Sequence, residues 1–142
     1  VGKIYQLFSN TEPHPKTHNL RSANALLPLI RRYTHQAIQE TQVLLAQLKH
    51  LGKDSPRTKD LMRDHEKAVG LWVERVHRLG GLAKGLWLVD FDTGEGYLCW
   101  AYPEQSVEYF HHYRESFKDR RKISLPIGTQ DKFVNIDDSV LS

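Results

Sequence analysis

Apolar residues recur along this chain with two different periods, and the change falls near residue 80. Leu26, Ile30, Tyr33, Ala37, Thr41, Leu44, Leu48 and Leu51 are spaced by three or four, which is one stripe of a long amphipathic helix. Ser22 suits its N-cap, and Pro28 falls early in it or restarts it at a first turn. Lys49, His50 and Gly52 suit its end. A second stripe, Leu61, His65, Ala68, Trp72, Val76 and Leu79, begins behind Ser55-Pro56 and stops at Gly80-Gly81. The link between the two is about four residues, short enough to fold them back as an antiparallel helical hairpin over 20–80.

Beyond residue 84 the pattern turns to β. Leu86-Trp87-Leu88-Val89-Asp90-Phe91 and Tyr97-Leu98-Cys99-Trp100-Ala101-Tyr102 flank the turn residues Asp92-Thr93-Gly94-Glu95-Gly96, which reads as a β-hairpin. Pro103 then opens a short third helix, with Glu104 in its first turn and Val107, Phe110, His111 and Arg114 on one face. Residues 84–115 thus hold the β-hairpin and short helix. Residues 4–8 and 123–127 read as strands that extend the sheet, residues 9–19 as a loop, and 128–142 as a flexible tail. The expected fold class is α+β: one domain, 1–142, with a long antiparallel helical hairpin packed with a small antiparallel β-sheet and a short third helix. Trp72, Trp87 and Trp100 are expected in the core, each buried indole needing an acceptor.

Composition narrows the classes. Of 142 residues, 39% are hydrophobic and 26% charged, an ordinary globular balance rather than a disordered one. A single cysteine, Cys99, permits no intramolecular disulfide and fits a reducing compartment. No apolar run approaches the ~20 residues that span a bilayer, and the first residues lack a signal core, so a cytoplasmic location is expected, with no membrane partner. The net charge of +3 is matched by the excess in residues 114–122, which carry five basic and two acidic groups. That is a local patch, and a nucleic-acid surface is disfavoured.

Candidate chemistry gathers around the hairpin and the third helix. Asp90 interrupts an apolar strand, Cys99 lies in its partner, and Glu104, Glu108, His111 and His112 follow. On a helix Glu104, Glu108 and His111 share a face, and a carboxylate beside an imidazole is a minimal acid–base pair. Asp90, Cys99, Glu104 and His111 are therefore the catalytic candidates. Glu108, His111 and His112 are the metal candidates, with a divalent metal admitted but no cofactor required. The plain alternative is a turn cap, a small buried hydrophobe and a surface histidine pair. Glu74–His77 and Glu108–His111 repeat Glu-x-x-His, the di-iron spacing, but a β-hairpin separates them where that site needs four helices. His14 and His18 read as solvent-exposed in their loop, and His65 as a core histidine. Cys99, between Leu98 and Trp100, reads as buried rather than as an exposed nucleophile. Arg114, Arg120 and Arg121, interleaved with Tyr113 and Phe117, are the anion-binding candidates; a solvated segment following a helix is the simpler reading.

Ala23-Asn24-Ala25-Leu26-Leu27-Pro28, Leu88-Val89-Asp90-Phe91, Tyr97-Leu98-Cys99-Trp100, Pro103-Glu104, Phe110-His111, Phe117 and Arg120 or Arg121 occur in an order that resembles the bacterial family catalogued as domain of unknown function 2203, over about residues 20–125. The resemblance implies a cytoplasmic bacterial α+β protein and no particular activity. Position by position it marks Asp90, Cys99, Glu104, His111 and one of the two arginines. The chain departs from that pattern at Ser22, where the family has an acidic residue, at Trp87 and Ser116, where it has glycine, at Pro103, also usually glycine, and at Phe110, usually tryptophan.

Three functions are thereby open. The leading expectation is a binding or interaction module that uses the helical hairpin to meet a protein partner or a second copy, with Leu45, Leu71 or Val73 exposed. The alternative is a small enzyme or metal-binding protein whose Asp90, Cys99, Glu104 and His111 converge in one pocket. The weaker alternative is phosphate or RNA binding through residues 113–122.

Overall fold

A computed structural model of the chain describes Phe8 and residues 17–124. The first long helix, α1, runs Leu20–Lys49, and its N-cap is Asn19 rather than Ser22. The Asn19 side chain accepts the Ser22 N–H at 2.8 Å, and the Ser22 hydroxyl accepts the Asn19 N–H at 3.0 Å, a reciprocal capping box. Ser22 is thus three residues inside the boundary. Pro28 lies within the helix, which continues through it. Ala23, Leu27, Ile30, Thr34, Ala37 and Thr41 form the buried stripe, one position round from the expected one at Leu27 and Thr34. Helix α2 runs Pro56–Arg78 with Ser55 as N-cap, and buries Leu61, Val69, Trp72 and Val76. The Trp72 indole donates to Thr34 Oγ1 at 2.8 Å and ties the helices together. Among the described residues, no helix is long and apolar enough to cross a membrane.

Five strands follow: β1 (Leu82–Gly85), β2 (Leu88–Asp92), β3 (Tyr97–Ala101), β4 (Tyr109–His111) and β5 (Arg121–Lys122), an antiparallel meander in sequence order. The β2–β3 hairpin is where the two apolar runs placed it, except that Leu86 and Trp87 form the turn from β1 rather than the start of β2. The third helix is not. Residues 103–108 form a turn and connection, Tyr109–His111 is a strand, and the helical geometry that remains is a 3₁₀ turn at Phe117–Asp119. The free edge of β3 decides this: Cys99, Leu98 and Tyr97 pair with Tyr109, Phe110 and His111, and an aromatic triplet suits that pleated surface better than a helix. The closing strand lies at residues 121–122. Ile123 packs on the core, whereas residues 125–127, the tail 128–142 and residues 4–7 fall outside the described residues. Phe8 is helical, not extended, and packs against the core.

The sheet has two unlike faces. Ala83, Val89, Phe91, Leu98, Trp100 and Phe110 join Ala23, Leu27, Ile30, Trp72 and Val76 in one buried apolar cluster. Because strand side chains alternate, Asp90, Cys99, Tyr109 and His111 turn to the opposite face. Trp72 and Trp87 meet edge to face at 5.0 Å, and the Trp100 indole donates to the Glu104 carbonyl at 2.8 Å. Trp87 has φ +65°, in the left-handed region. Glycine adopts that conformation at least cost, and at Trp87 the packing of the ring on Trp72 offsets the strain.

Candidate functional site

Register on the second face of the sheet brings the site together. Asp90 pairs with Cys99, and Tyr97 pairs with His111, so three neighbouring strands present an aspartate, a cysteine and a histidine side by side. Their ligating atoms all lie within 4.8 Å of one another, and the residues are 2%, 1% and 4% exposed. Asp90 Oδ2 lies 2.9 Å from His111 Nε2. The segment after β4 folds back over this face. Tyr113, Glu115, Ser116 and Phe117 from that segment, with Lys84, Leu88 and Tyr97 from the sheet, wall an open pocket of about 330 Å³ above the three donors.

The protonation of the pair follows from its partners. His111 Nδ1 lies 3.0 Å from the His112 carbonyl, which can only accept, so Nδ1 carries a hydrogen. The Asp90–His111 contact then closes as a hydrogen bond only with one more proton, on Nε2 or on the carboxyl. Burial pulls the His111 pKa down, but the Asp90 hydrogen bond and charge, the His112 carbonyl and the Glu115 charge outweigh it, and the pKa is raised. Burial pushes the Cys99 thiol strongly up, the Asp90 charge and hydrogen bond add to this, and the Arg120 guanidinium opposes it only in part. Cys99 therefore rests as a neutral thiol. With both His111 nitrogens engaged, no free imidazole nitrogen is poised to deprotonate it.

Of the expected catalytic four, Asp90, Cys99 and His111 converge and Glu104 does not. Glu104 accepts two N–H groups of Arg120, at 2.9 and 2.6 Å, and the Ala101 N–H at 2.8 Å. The Arg120 guanidinium lies 4.0 Å from the Tyr109 ring centre and 4.1 Å from that of Phe117. Arg121 is held by Glu115 at 2.9 Å, so two of the three arginines expected to bind an anion, Arg120 and Arg121, are committed to carboxylates, while the third, Arg114, is exposed. Glu108 is exposed and His112 stacks edge-on against Phe110 at 5.1 Å, so of the expected metal candidates His111 alone reaches the cluster. Strand geometry is the reason: Glu108 and His111 share a face on a helix, not on a strand. The paired Glu-x-x-His reading falls for the same reason, with Glu74 exposed and 3.8 Å from Arg78. His14 lies outside the described residues. His18 is buried, with ring nitrogens 3.0 Å from Ser22 Oγ and 3.0 Å from the Gly80 carbonyl, a clasp between the start of α1 and the end of α2. His65 is only half-buried.

Lys84, Tyr97, Tyr113 and Phe117 were not singled out as pocket residues from the sequence. Tyr97 was within reach, since it lies two residues before Cys99 on the same strand face. Tyr113 and Phe117 carry no such local signal. The Tyr113 hydroxyl donates to Asp92 Oδ1 at 2.6 Å, and its ring meets Tyr97 edge-on at 5.0 Å, which fixes the returning segment on the sheet.

No curated protein and no solved structure matches this chain. Residues 16–123, which hold both long helices, the whole sheet and all three clustered donors, match the pattern of one family, and the chain therefore belongs to the family described as Uncharacterized conserved protein (DUF2203).

Proposed function

We propose that this protein binds one divalent transition-metal ion through Asp90, Cys99 and His111 and presents it at the floor of the open pocket. The observation that carries the reading is the convergence of carboxylate, thiol and imidazole within 4.8 Å on a buried sheet face. A nitrogen, oxygen and sulfur set suits zinc, iron(II) or cobalt(II) rather than calcium or magnesium. The His111 Nδ1–H bond to the His112 carbonyl orients Nε2 as the ligating atom, the usual support for a metal histidine. With bonds of roughly 2.0–2.3 Å, tetrahedral ligand atoms stand about 3.3–3.6 Å apart. The 2.9 Å Asp90–His111 contact has to open by about half an ångström to admit the ion. Three protein ligands leave a coordination position toward the pocket, the arrangement that catalytic rather than purely structural sites use.

The test is metal content by inductively coupled plasma mass spectrometry, after purification and after dialysis against zinc, iron(II) or cobalt(II). The reading expects about one equivalent in the wild type and a loss of at least tenfold in affinity in Cys99→Ala and in His111→Gln, with circular dichroism unchanged. A folded wild type that takes up none of the three metals overturns it. A second reading, self-association or docking of a protein partner, is favoured by the exposure of Val43, Leu45, Met62 and Leu71, between 41% and 57%, on the two helices. Val73, by contrast, packs against the core. The mass of the native particle in solution tests it: a monomer at all concentrations removes self-association.

A further inference from the structure

The pocket above the three donors has a charge pattern that selects what enters. Asp90 and a metal-bound Cys99 thiolate together offset the charge of a divalent ion. Glu115 is paired with Arg121, and Arg120 with Glu104. Lys84 lines the same pocket on the neighbouring strand. Its ammonium lies 4.6 Å from the centre of the Tyr97 ring, and no carboxylate among the described residues pairs with it. The cavity, at about 330 Å³, is at the small end for ligand sites. The Tyr97, Tyr113 and Phe117 side chains are part of its lining.

Resting on the metal reading of the preceding section, we infer that the ligand is a small carboxylic acid whose carboxylate meets the metal on one side and the Lys84 ammonium on the other. One uncompensated positive charge matches a monoanion. A phosphate group, carrying between one and two negative charges at neutral pH, would be left with excess charge, and the forks of Arg120 and Arg121, which could bind phosphate bidentately, are already occupied. The aromatic lining suits a short carbon skeleton, and a three-ligand metal has room for one or two oxygen donors from outside.

The experiment uses full-length protein loaded with cobalt(II), whose visible d–d bands report a change of ligand at the metal. Formate, acetate, lactate, pyruvate and inorganic phosphate are titrated separately, and bound cobalt is measured in every sample. At least one carboxylate is expected to shift the bands with saturation, and to do so at least tenfold more tightly than phosphate. Lys84→Met is expected to keep its equivalent of cobalt and to bind that acid about tenfold more weakly. Protein that holds cobalt but answers to none of the four acids, prefers phosphate, or is indifferent to Lys84→Met overturns this inference and leaves the metal reading standing. Protein that holds no cobalt overturns this inference, and protein that also refuses zinc and iron(II) overturns the metal reading with it.

Discussion

Glu104 is the residue whose role changed most between sequence and structure, and it offers a sharp test. Its carboxylate takes two charge-assisted hydrogen bonds from Arg120 and one from the Ala101 N–H, with the Arg120 and Glu104 side chains only 16% and 23% exposed. Removing one partner of a fully buried pair costs roughly 3–5 kcal/mol, and an exposed pair is worth about 0–1 kcal/mol. This pair lies nearer the buried limit, because Tyr109 and Phe117 flank the guanidinium and would hold it, unpaired, out of water. Glu104→Ala is therefore expected to cost about 2–3 kcal/mol, a fall in melting temperature of roughly 6–12 °C for a chain of this length. Arg120→Met keeps an apolar stem between the two rings, and the cycle Glu104→Gln, Arg120→Met and the double variant should return a coupling of about 1–2 kcal/mol. Urea unfolding at constant slope measures each corner. A coupling below about 0.5 kcal/mol would mean that the two single losses simply add. The carboxylate would then be unengaged by Arg120 in solution and available as a reacting group after all.

Other consequences can be checked on the same instrument. The folded-state pKa of His111 lies above its ordinary value of 6.5, so its stabilisation is complete below that pH and is lost as pH rises through the folded value. In the presence of a chelator, the urea midpoint should fall with rising pH above 6.5 in the wild type and stay flatter in His111→Gln; a wild-type midpoint that rises there refutes the assignment. Thr34→Val leaves the buried Trp72 indole N–H without its acceptor and should cost roughly 1–3 kcal/mol, seen as a lower urea midpoint. At Trp87 the usual order of substitutions should invert: Trp87→Gly loses the ring contact but relieves the left-handed backbone, whereas Trp87→Ala loses the contact and keeps the strain, leaving it about 1 kcal/mol less stable by thermal melting.

Where information was local, the sequence was readable. Ser55-Pro56 opens α2 and the turn after Asp92 closes the β2–β3 hairpin because cap and turn chemistry act within a few residues. Residues 103–111 misled because Pro103-Glu104 imitates a helix start, and a spacing of three aligns Glu108 with His111 on a helix. The decision lay elsewhere, in the unpaired edge of β3. Strand β1, at four residues, is too short to show a period, and its partner lies across a tight connection. The same division holds at the site. Asp90, Cys99 and His111 stand out by type, a polar group within each apolar run. That Arg120 belongs to Glu104, and that His18 reaches Gly80, are long-range facts without local trace.

The two-faced sheet makes the β2–β3 turn a ruler for the site. In that turn the Thr93 N–H donates to the Gly96 carbonyl at 2.9 Å, and the Thr93 hydroxyl oxygen accepts the N–H groups of Glu95 and Gly96 at 3.2 and 3.1 Å. The Gly96 backbone also passes so close to the Phe110 ring that a Cβ there would collide with it. None of these groups belongs to the donor cluster, yet together they set which residue of β3 stands opposite Asp90. A slip of one residue would exchange the faces, sending Cys99 toward the helices and Leu98 or Trp100 into the pocket. The alignment of the three donors is thus indexed in part from a turn that touches none of them, and an insertion or deletion between Thr93 and Gly96 that moved the pairing by one residue would erase the site while leaving every one of its residues in the chain.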